Sequence, residues 1–187
     1  MGLRVIGGIH RGRKLATVKG KNTRPTADRM REALFNILSS DVKAAHVLDL
    51  FAGTGALGIE ALSRGAASAV FIDRERAALA VIESNIKTCR LEAQARIIRW
   101  DIVANLACLS GSRPRFDLVF MDPPYDTGCV RKTLENLCHS DSLSREAIVV
   151  VEHSPQEPVP EMLFGFEITD RRRYSKTGFS FLRVQPK

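Results

Sequence analysis

Between His46 and Val151, short apolar runs alternate with longer amphipathic stretches, and this alternation constrains the fold more than any other feature. The runs His46–Leu50, Ala69–Ile72, Arg96–Arg99, Phe116–Met121 and Ala147–Val151 read as strands. The stretches Ala56–Ser63, Glu75–Cys89, Ile102–Leu109 and Val130–Cys138 read as the helices between them. Leu118-Val119-Phe120-Met121 has no polar alternate, so both faces are buried, as in a parallel sheet covered by helices. A repeated strand–helix pattern of this length specifies a doubly wound α/β fold. The rhythm breaks near the C-terminus. Pro155, Pro158 and Pro160 occupy a loop, and Phe164–Tyr174 and Phe179–Val184 flank a Ser-Lys-Thr-Gly turn. Two strands joined by a short turn form an antiparallel hairpin. The expected architecture is therefore a mostly parallel seven-stranded sheet ending in an antiparallel hairpin.

Ahead of this region, Leu3–Ile6 and Lys14–Ala16 read as short β segments around Gly7-Gly8. Thr26 reads as the N-cap of a helix whose apolar stripe is Met30, Leu34, Ile37 and Leu38, ending near Ser39-Ser40. The chain thus divides into a basic β-hairpin extension over residues 1–25 and a main domain over 26–187, and 187 residues suit that size. Charge divides in nearly the same way. Residues 1–31 hold nine basic residues and one acid, Asp28, for a net +8, and the other 156 residues sum to −1. A basic arm on a near-neutral body points to a polyanionic partner, most simply nucleic acid, rather than to a solvated tail. The candidate contacts are Arg4, Arg11, Arg13, Lys14, Arg24 and Arg29.

Other classes are disfavoured. No apolar run approaches the roughly 20 residues that span a bilayer. The first residues, MGLRVIGG, lack the apolar core of a secretory signal, so the cytoplasm is the expected compartment. Cys89, Cys108, Cys129 and Cys138 form no CxxC pair, and no metal site is expected.

The first strand of the alternating region runs into Phe51-Ala52-Gly53-Thr54-Gly55-Ala56-Leu57-Gly58 and then a helix. Gly53, Gly55 and Gly58 satisfy G-x-G-x-x-G in the strand–turn–helix context that this motif requires. Asp73 ends the next strand, twenty residues after Gly53, where a carboxylate can accept hydrogen bonds from both ribose hydroxyls. Asp101 follows the third strand, after Trp100, and can accept from an adenine amino group. These features point to an adenosine-containing cofactor. A dinucleotide would place its pyrophosphate at the helix N-terminus. Asp49, beside that loop, would repel it, but suits an ammonium or a sulfonium, and S-adenosylmethionine has both. The cofactor candidates are Asp49, Phe51, Gly53, Thr54, Gly55, Asp73, Arg74, Asp101 and Ile102.

The fourth strand ends in Asp122-Pro123-Pro124-Tyr125. Two prolines stiffen the loop and remove backbone donors, so its carbonyls are available as acceptors. Asp122 and the Pro123 carbonyl offer two acceptors, and Tyr125 offers a flat aromatic face. The combination suits a planar ring with an exocyclic NH₂: the ring stacks, both amino hydrogens are held, and the nitrogen lone pair is exposed to an electrophilic methyl. Asp122, Pro123 and Tyr125 are the candidate catalytic residues, and a phenylalanine at 125 should be mild if only stacking matters.

These motifs resemble those of class I S-adenosylmethionine-dependent methyltransferases that act on exocyclic amines. The chain as a whole resembles the bacterial 16S ribosomal RNA guanine-N2 methyltransferases of the small subunit. Leu3-Arg4-Val5-Ile6-Gly7-Gly8, Arg11–Leu15, Arg24-Pro25-Thr26, Asp28-Arg29, Arg31-Glu32, Leu34-Phe35-Asn36 and Phe51–Gly65 carry the likeness. It implies a Rossmann-like methyltransferase without a metal, and 16S rRNA in the 30S subunit or a late assembly particle as partner of a monomer. It also implies a guanine flipped out of its helix, because a stacked base hides its amine. Asp73-Arg74-Glu75 departs from the family pattern, where the first acid is Glu. Two other readings share these features: a DNA adenine- or cytosine-N methyltransferase, and a non-catalytic RNA-binding assembly factor with a vestigial cofactor site.

Overall fold

A computed structural model describes residues 2–18, 25–125, 127–174 and 176–185. One sheet of eight strands has the order β3-β2-β1-β4-β5-β8-β7-β6. Strands β1 (His46–Leu50), β2 (Ser68–Asp73), β3 (Ala95–Arg99), β4 (Phe116–Met121) and β5 (Leu143–His153) run parallel. Strands β6 (Met162–Leu163), β7 (Phe166–Tyr174) and β8 (Thr177–Val184) close the sheet with antiparallel pairings. The helices are α1 (Pro25–Leu38), α2 (Ala56–Ser63), α3 (Arg76–Cys89) and α4 (Cys129–His139).

Two cores result. On one face, Leu34 and Phe35 of α1, Ile59 and Leu62 of α2 and Ile82 and Ile86 of α3 pack on Val47, Phe71, Phe120 and Phe181. On the other, Val130, Leu134 and Leu137 of α4 pack on Leu50, Val119, Val149 and Leu182. Successive residues of β4 thus alternate between two buried layers, as its continuous apolar run requires.

The doubly wound expectation is met, with differences of detail. An eighth strand, the two-residue β6, precedes the hairpin. Phe164 and Gly165 have φ of +54° and +79°, so they form the tight β6–β7 turn and β7 starts at Phe166. The Arg131 guanidinium lies 5.2 Å from the Phe164 ring centroid and packs on this turn. The β7–β8 turn is shorter than expected, because Thr177 and Gly178 already pair with Tyr174 and Arg173. Ser175 lies outside the described residues. Ile102–Leu109 is not a helix: only Ala107–Leu109 forms a 3-10 turn. The Asp101 carboxylate accepts the Val103 N–H at 3.1 Å, and Asn105 accepts the Ala107 N–H at 3.0 Å. Such side-chain bonds to local backbone compete with helix formation. Helix α1 begins at Pro25, one residue before the expected cap; proline suits a first helical position because its missing N–H would have no partner there. The side chain of Thr26, like all of Arg24, lies outside the described residues.

The N-terminal segment is fastened to the domain. Leu3, Val5 and Leu15 are buried in the α1–α3 core. A single bridge, Arg4 to Lys14, and flanking bonds such as Val5 N–H to Arg13 C=O at 3.0 Å shape it as a minimal hairpin. Its turn rests on α2. The fully buried Glu60 accepts the Ile6 and Gly7 N–H groups, each at 2.7 Å, and the Arg64 Nε–H at 2.8 Å. Gly8 has φ of +74°, and a Cβ there would stand 1.8 Å from the Ser63 carbonyl oxygen, so only glycine fits. Arg31, counted above with the basic arm, is buried: it donates to the Arg4 carbonyl at 2.5 Å and to Asp28 at 3.1 Å, and its Nε is 3.8 Å from Glu60.

Glu60→Ala leaves two backbone N–H groups and the Arg64 Nε–H without their acceptor and removes the carboxylate beside the buried Arg31. Removing one partner of a buried charged network costs about 3–5 kcal/mol. A urea unfolding curve should show a loss of that size, and a loss below about 1 kcal/mol would mean that Glu60 does not anchor the segment.

Candidate functional site

The winding reverses between β1 and β4. Chain from β1 moves outward through β2 to β3 on the α1–α3 face, then returns and moves through β4 to β5 on the other. At such a switch point the loops at the carboxyl ends diverge and leave a crevice. Register defines what lines it. Leu50 pairs with Ile72 on one side and Met121 on the other, and Met121 pairs with Val151. The next residues therefore stand in one row at the carboxyl edge of the sheet: Asp73, Phe51, Asp122 and Glu152. The glycine loop and the Asp-Pro-Pro-Tyr loop stand side by side, although 71 residues separate Phe51 from Asp122.

The glycine loop is conformationally specialised. Phe51, Gly53 and Gly55 all have positive φ, at 58°, 56° and 73°. Phe51 tolerates this uncommon conformation with its ring packed on the α4-face core. Gly58 is required for packing, because a Cβ there would stand 2.3 Å from the Phe71 ring and 3.1 Å from Asp49 Oδ2. Asp49 is 2% exposed and accepts the Gly58 N–H at 2.9 Å. Burial pushes its carboxyl up to about 7, against the pull of that N–H, and the nearby Asp73 charge raises it further. A carboxylate is thus already bonded to the start of α2, where a pyrophosphate would have to sit.

Asp73 accepts the Gly53 N–H at 2.9 Å through one oxygen and the Glu75 N–H at 2.9 Å through the other, joining the end of β2 to the loop. Thr54 is half-buried, and its carbonyl accepts from Asn85 Nδ2 at 2.9 Å. Asn85 also holds Ala16 of the N-terminal segment, by its N–H at 2.7 Å and its carbonyl at 3.1 Å. Arg74 and Asp101 are exposed and line an open depression of about 790 Å³ with Trp100 and Asn105. The side chain of Ile102 is buried in the α4-face core, so it meets the crevice only through backbone.

In the acceptor loop, Pro123 is buried while Asp122 and Pro124 are exposed. Tyr125 is 40% exposed, and its hydroxyl is tied down. It donates to Glu152 Oε1 at 2.7 Å and lies 3.3 Å from Thr177 Oγ1. Burial raises the pKa of both Tyr125 and Glu152, so the phenol stays protonated at neutral pH. The ring is held by β5 and β8 with one side open to solvent.

Sequence reading missed Glu152, Thr177 and Asn85. Glu152 had a signal, since it too is an acid closing a parallel strand. So did Asn85, a polar residue on the apolar stripe Ile82, Ile86 and Cys89 of α3. Thr177 had none. Among the expected nucleic-acid contacts, Arg4 and Lys14 are ladder partners, and Arg4, Arg11 and Arg29 line a pocket of about 410 Å³ with Asp28 and Glu32. Arg13 instead donates to the Thr88 carbonyl at the end of α3. Among the described residues no cluster of His, Cys, Asp and Glu could hold a metal, and no helix is long and apolar enough to cross a membrane.

Comparison with known proteins is decisive at the level of family. Residues 3–183 match the family model described as Conserved hypothetical protein 95. The chain belongs to this family. A relative in Bacillus subtilis, "Putative rRNA methyltransferase YlbH", is 35% identical over 181 residues, covering 97% of this chain and 98% of the relative. "Ribosomal RNA small subunit methyltransferase D" of Escherichia coli is 39% identical over 158 residues, covering 84% of this chain and 78% of that one. The solved structure titled "Putative methyltransferase yhhF from Escherichia coli" superposes with a TM-score of 0.85 at 33% identity, covering 100% of both chains. The Rossmann-like methyltransferase fold is thus that of this Conserved hypothetical protein 95 member.

Two outcomes follow for this family member. Asp49 releases its proton near 3.8 when unfolded and near 7 when folded. The ligand-free protein should therefore lose stability as pH rises from about 4 to about 7, and level off above. Asp49→Asn should flatten that slope and unfold at a higher temperature than wild type at pH 8; equal melting curves across pH 4–8 would contradict the burial argument. Tyr125→Phe frees the half-buried Glu152 from its phenol. It should lower stability by about 1 kcal/mol, and Glu152→Gln, which keeps an acceptor for the phenol, should cost less.

Proposed function

We propose that the protein transfers a methyl group from S-adenosylmethionine to the exocyclic N2 amine of a guanine in 16S rRNA, within the 30S subunit or a late assembly particle in the cytoplasm. The adjacency of Phe51 and Asp122 across the β1–β4 register carries this reading, because it joins a cofactor loop to an amine-binding loop. The names of the relatives support the substrate class, since they are rRNA methyltransferases of matching length.

The residues present fit the cofactor. Asp49 is a buried carboxylate with one N–H donor among the described residues, which suits a cation and repels a pyrophosphate. Asp73 takes the ribose hydroxyls, with Arg74 beside it, and Asp101 and the Ile102 backbone take the adenine. Phe51, Gly53, Thr54 and Gly55 form the floor. When bound, the cofactor supplies an electrophilic methyl: its C–S bond breaks as the N–C bond forms, and the amine sheds a proton to solvent. Asp122 and the Pro123 carbonyl hold the two amino hydrogens, and Tyr125 stacks on the base. An aromatic amine is a weak nucleophile, so the protein contributes positioning and electrostatic stabilisation. The base reaches this crevice by leaving its stack. The exposed cations Arg4, Arg11, Lys14 and Arg29 contact phosphates, which position the RNA without reading its sequence.

The test offers labelled cofactor to separate pools of 30S particles, free rRNA, tRNA and DNA, and digests the product to nucleosides. Label in N2-methylguanosine from 30S particles is the expected result. Label in DNA, or in none of the pools, would overturn the reading. Asp122→Ala should cut turnover by about 100-fold or more while cofactor affinity changes little. Calorimetry gives a further check: cofactor affinity should rise as pH climbs from 6 to 8, because a bound cation favours ionised Asp49.

A further inference from the structure

An acceptor pair such as Asp122 and the Pro123 carbonyl suits any exocyclic amine, and adenine, cytosine and guanine each carry one. The three bases differ at the ring nitrogen beside that amine. In guanine, N1 bears a hydrogen and donates. In adenine N1, and in cytosine N3, a lone pair is presented instead. A flipped base is read along this edge, so the group that stands next to the amine-binding pair decides which base fits.

Glu152 stands there. Met121 pairs with Val151, so Glu152 is the neighbour of Asp122 in the row at the carboxyl edge, one strand spacing or about 4.8 Å away along the backbone. Its Oε1 accepts the Tyr125 hydroxyl at 2.7 Å. That bond puts the carboxylate at the rim of the ring on which the base stacks. Thr177 Oγ1 of β8, 3.3 Å from the same hydroxyl, holds the rim from the other side. The carboxylate is therefore fixed in place before a base arrives.

Its bonding is also incomplete. An ionised carboxylate has two oxygens, each able to accept. Among the described residues, Oε1 takes the phenol, Oε2 takes no hydrogen bond and no cation pairs with the group. Glu161 and Asp170, farther along the sheet, are by contrast paired with Arg171 and Arg172. Burial raises the Glu152 pKa and the phenol hydrogen pulls it down. A half-buried charge short of donors gains from an N–H that a ligand brings. We infer that Glu152 accepts the N1–H of the guanine whose amine Asp122 and Pro123 hold, and so selects guanine over adenine and cytosine. Either of the other bases in that place would turn a lone pair toward the carboxylate and leave both acceptors unpaired. The bond also assists the chemistry, because accepting the N1 hydrogen pushes electron density into the ring toward the weakly nucleophilic N2. The inference rests on a guanine amine being the methyl acceptor.

The experiment uses 2-aminopurine, which keeps the 2-amine of guanine but has a lone pair at N1. 30S particles are reconstituted from 16S rRNA carrying guanosine or 2-aminopurine at the methylated position, located by mass spectrometry of nuclease fragments. Full-length wild type and Glu152→Gln are compared by kcat/KM on each particle. Wild type should prefer guanosine by about 100-fold or more, because a site built to bond a substrate N–H rejects the analogue that lacks it. Glutamine offers an amide N–H to the N1 lone pair, so Glu152→Gln should narrow the preference to about 10-fold or less. A merely structural role would lower both rates and leave their ratio unchanged. A ratio within about threefold of wild type in the variant, with N2-methylguanosine still formed, would overturn the Glu152 assignment and leave methyl transfer to guanine standing. Equal methylation of both particles by wild type would do the same. Label in adenine or cytosine alone, or no label in any particle, would overturn the guanine reading and the Glu152 assignment together.

Discussion

The parallel pairing of β1 with β4 is the constraint on which the rest of the molecule depends. It joins two halves wound in opposite directions, so each half covers a different face of the sheet. It also decides which loops are neighbours. A one-residue slip in that register would turn the inward and outward sets of β4 over, placing Phe120 where Met121 packs. Phe35 of α1, whose ring lies 5.5 Å from that of Phe120, would lose its partner. The two buried layers therefore enforce the register, and the register brings Phe51 and Asp122 together. Site geometry is in this sense a product of core packing rather than of the loops themselves.

The price of the site is visible in its buried polar groups. Asp49 sits in a nearly dry position with one backbone donor, and burial holds its carboxyl near 7. Phe51 takes a left-handed backbone that a side-chain-bearing residue seldom adopts. Neither helps the chain fold. Both have a reason if the crevice receives a cationic cofactor, because a positive group restores to Asp49 what desolvation removed. Asp73 differs: both its oxygens already hold backbone N–H groups, so it organises the loop before any ligand arrives.

Most of the fold was legible because its signals were local and periodic. Continuous apolar runs, acids at strand ends and glycines at a strand–helix turn each followed from one stretch of chain. What escaped depended on distant partners. Arg31 looked like one more cation of a basic arm; only the fold brings buried Glu60 to it from 29 residues away. Asp101 and Asn105 ended a helix that periodicity alone would allow at 102–109, because their side chains bond backbone within the turn. Glu152 is the instructive case. It obeys the rule that marked Asp49, Asp73, Asp101 and Asp122, yet one of its oxygens serves the tyrosine, and only the register of β4 with β5 shows this.

The N-terminal segment completes the same logic at longer range. A solvated tail would leave its polar backbone to water, whereas this one has Ile6 and Gly7 held by Glu60, His10 by Ser63 and Ala16 by Asn85. These holding residues belong to α2 and α3, the two helices that follow the glycine loop and Asp73. Asn85 goes further, since one carboxamide nitrogen serves both Ala16 and the Thr54 carbonyl. Displacing the segment would leave that carboxamide half-satisfied in a buried position, where an unmade hydrogen bond costs about 1–3 kcal/mol. The segment and the glycine loop are therefore held in place together, and the basic side chains it displays are fixed with respect to the crevice rather than tethered loosely beside it.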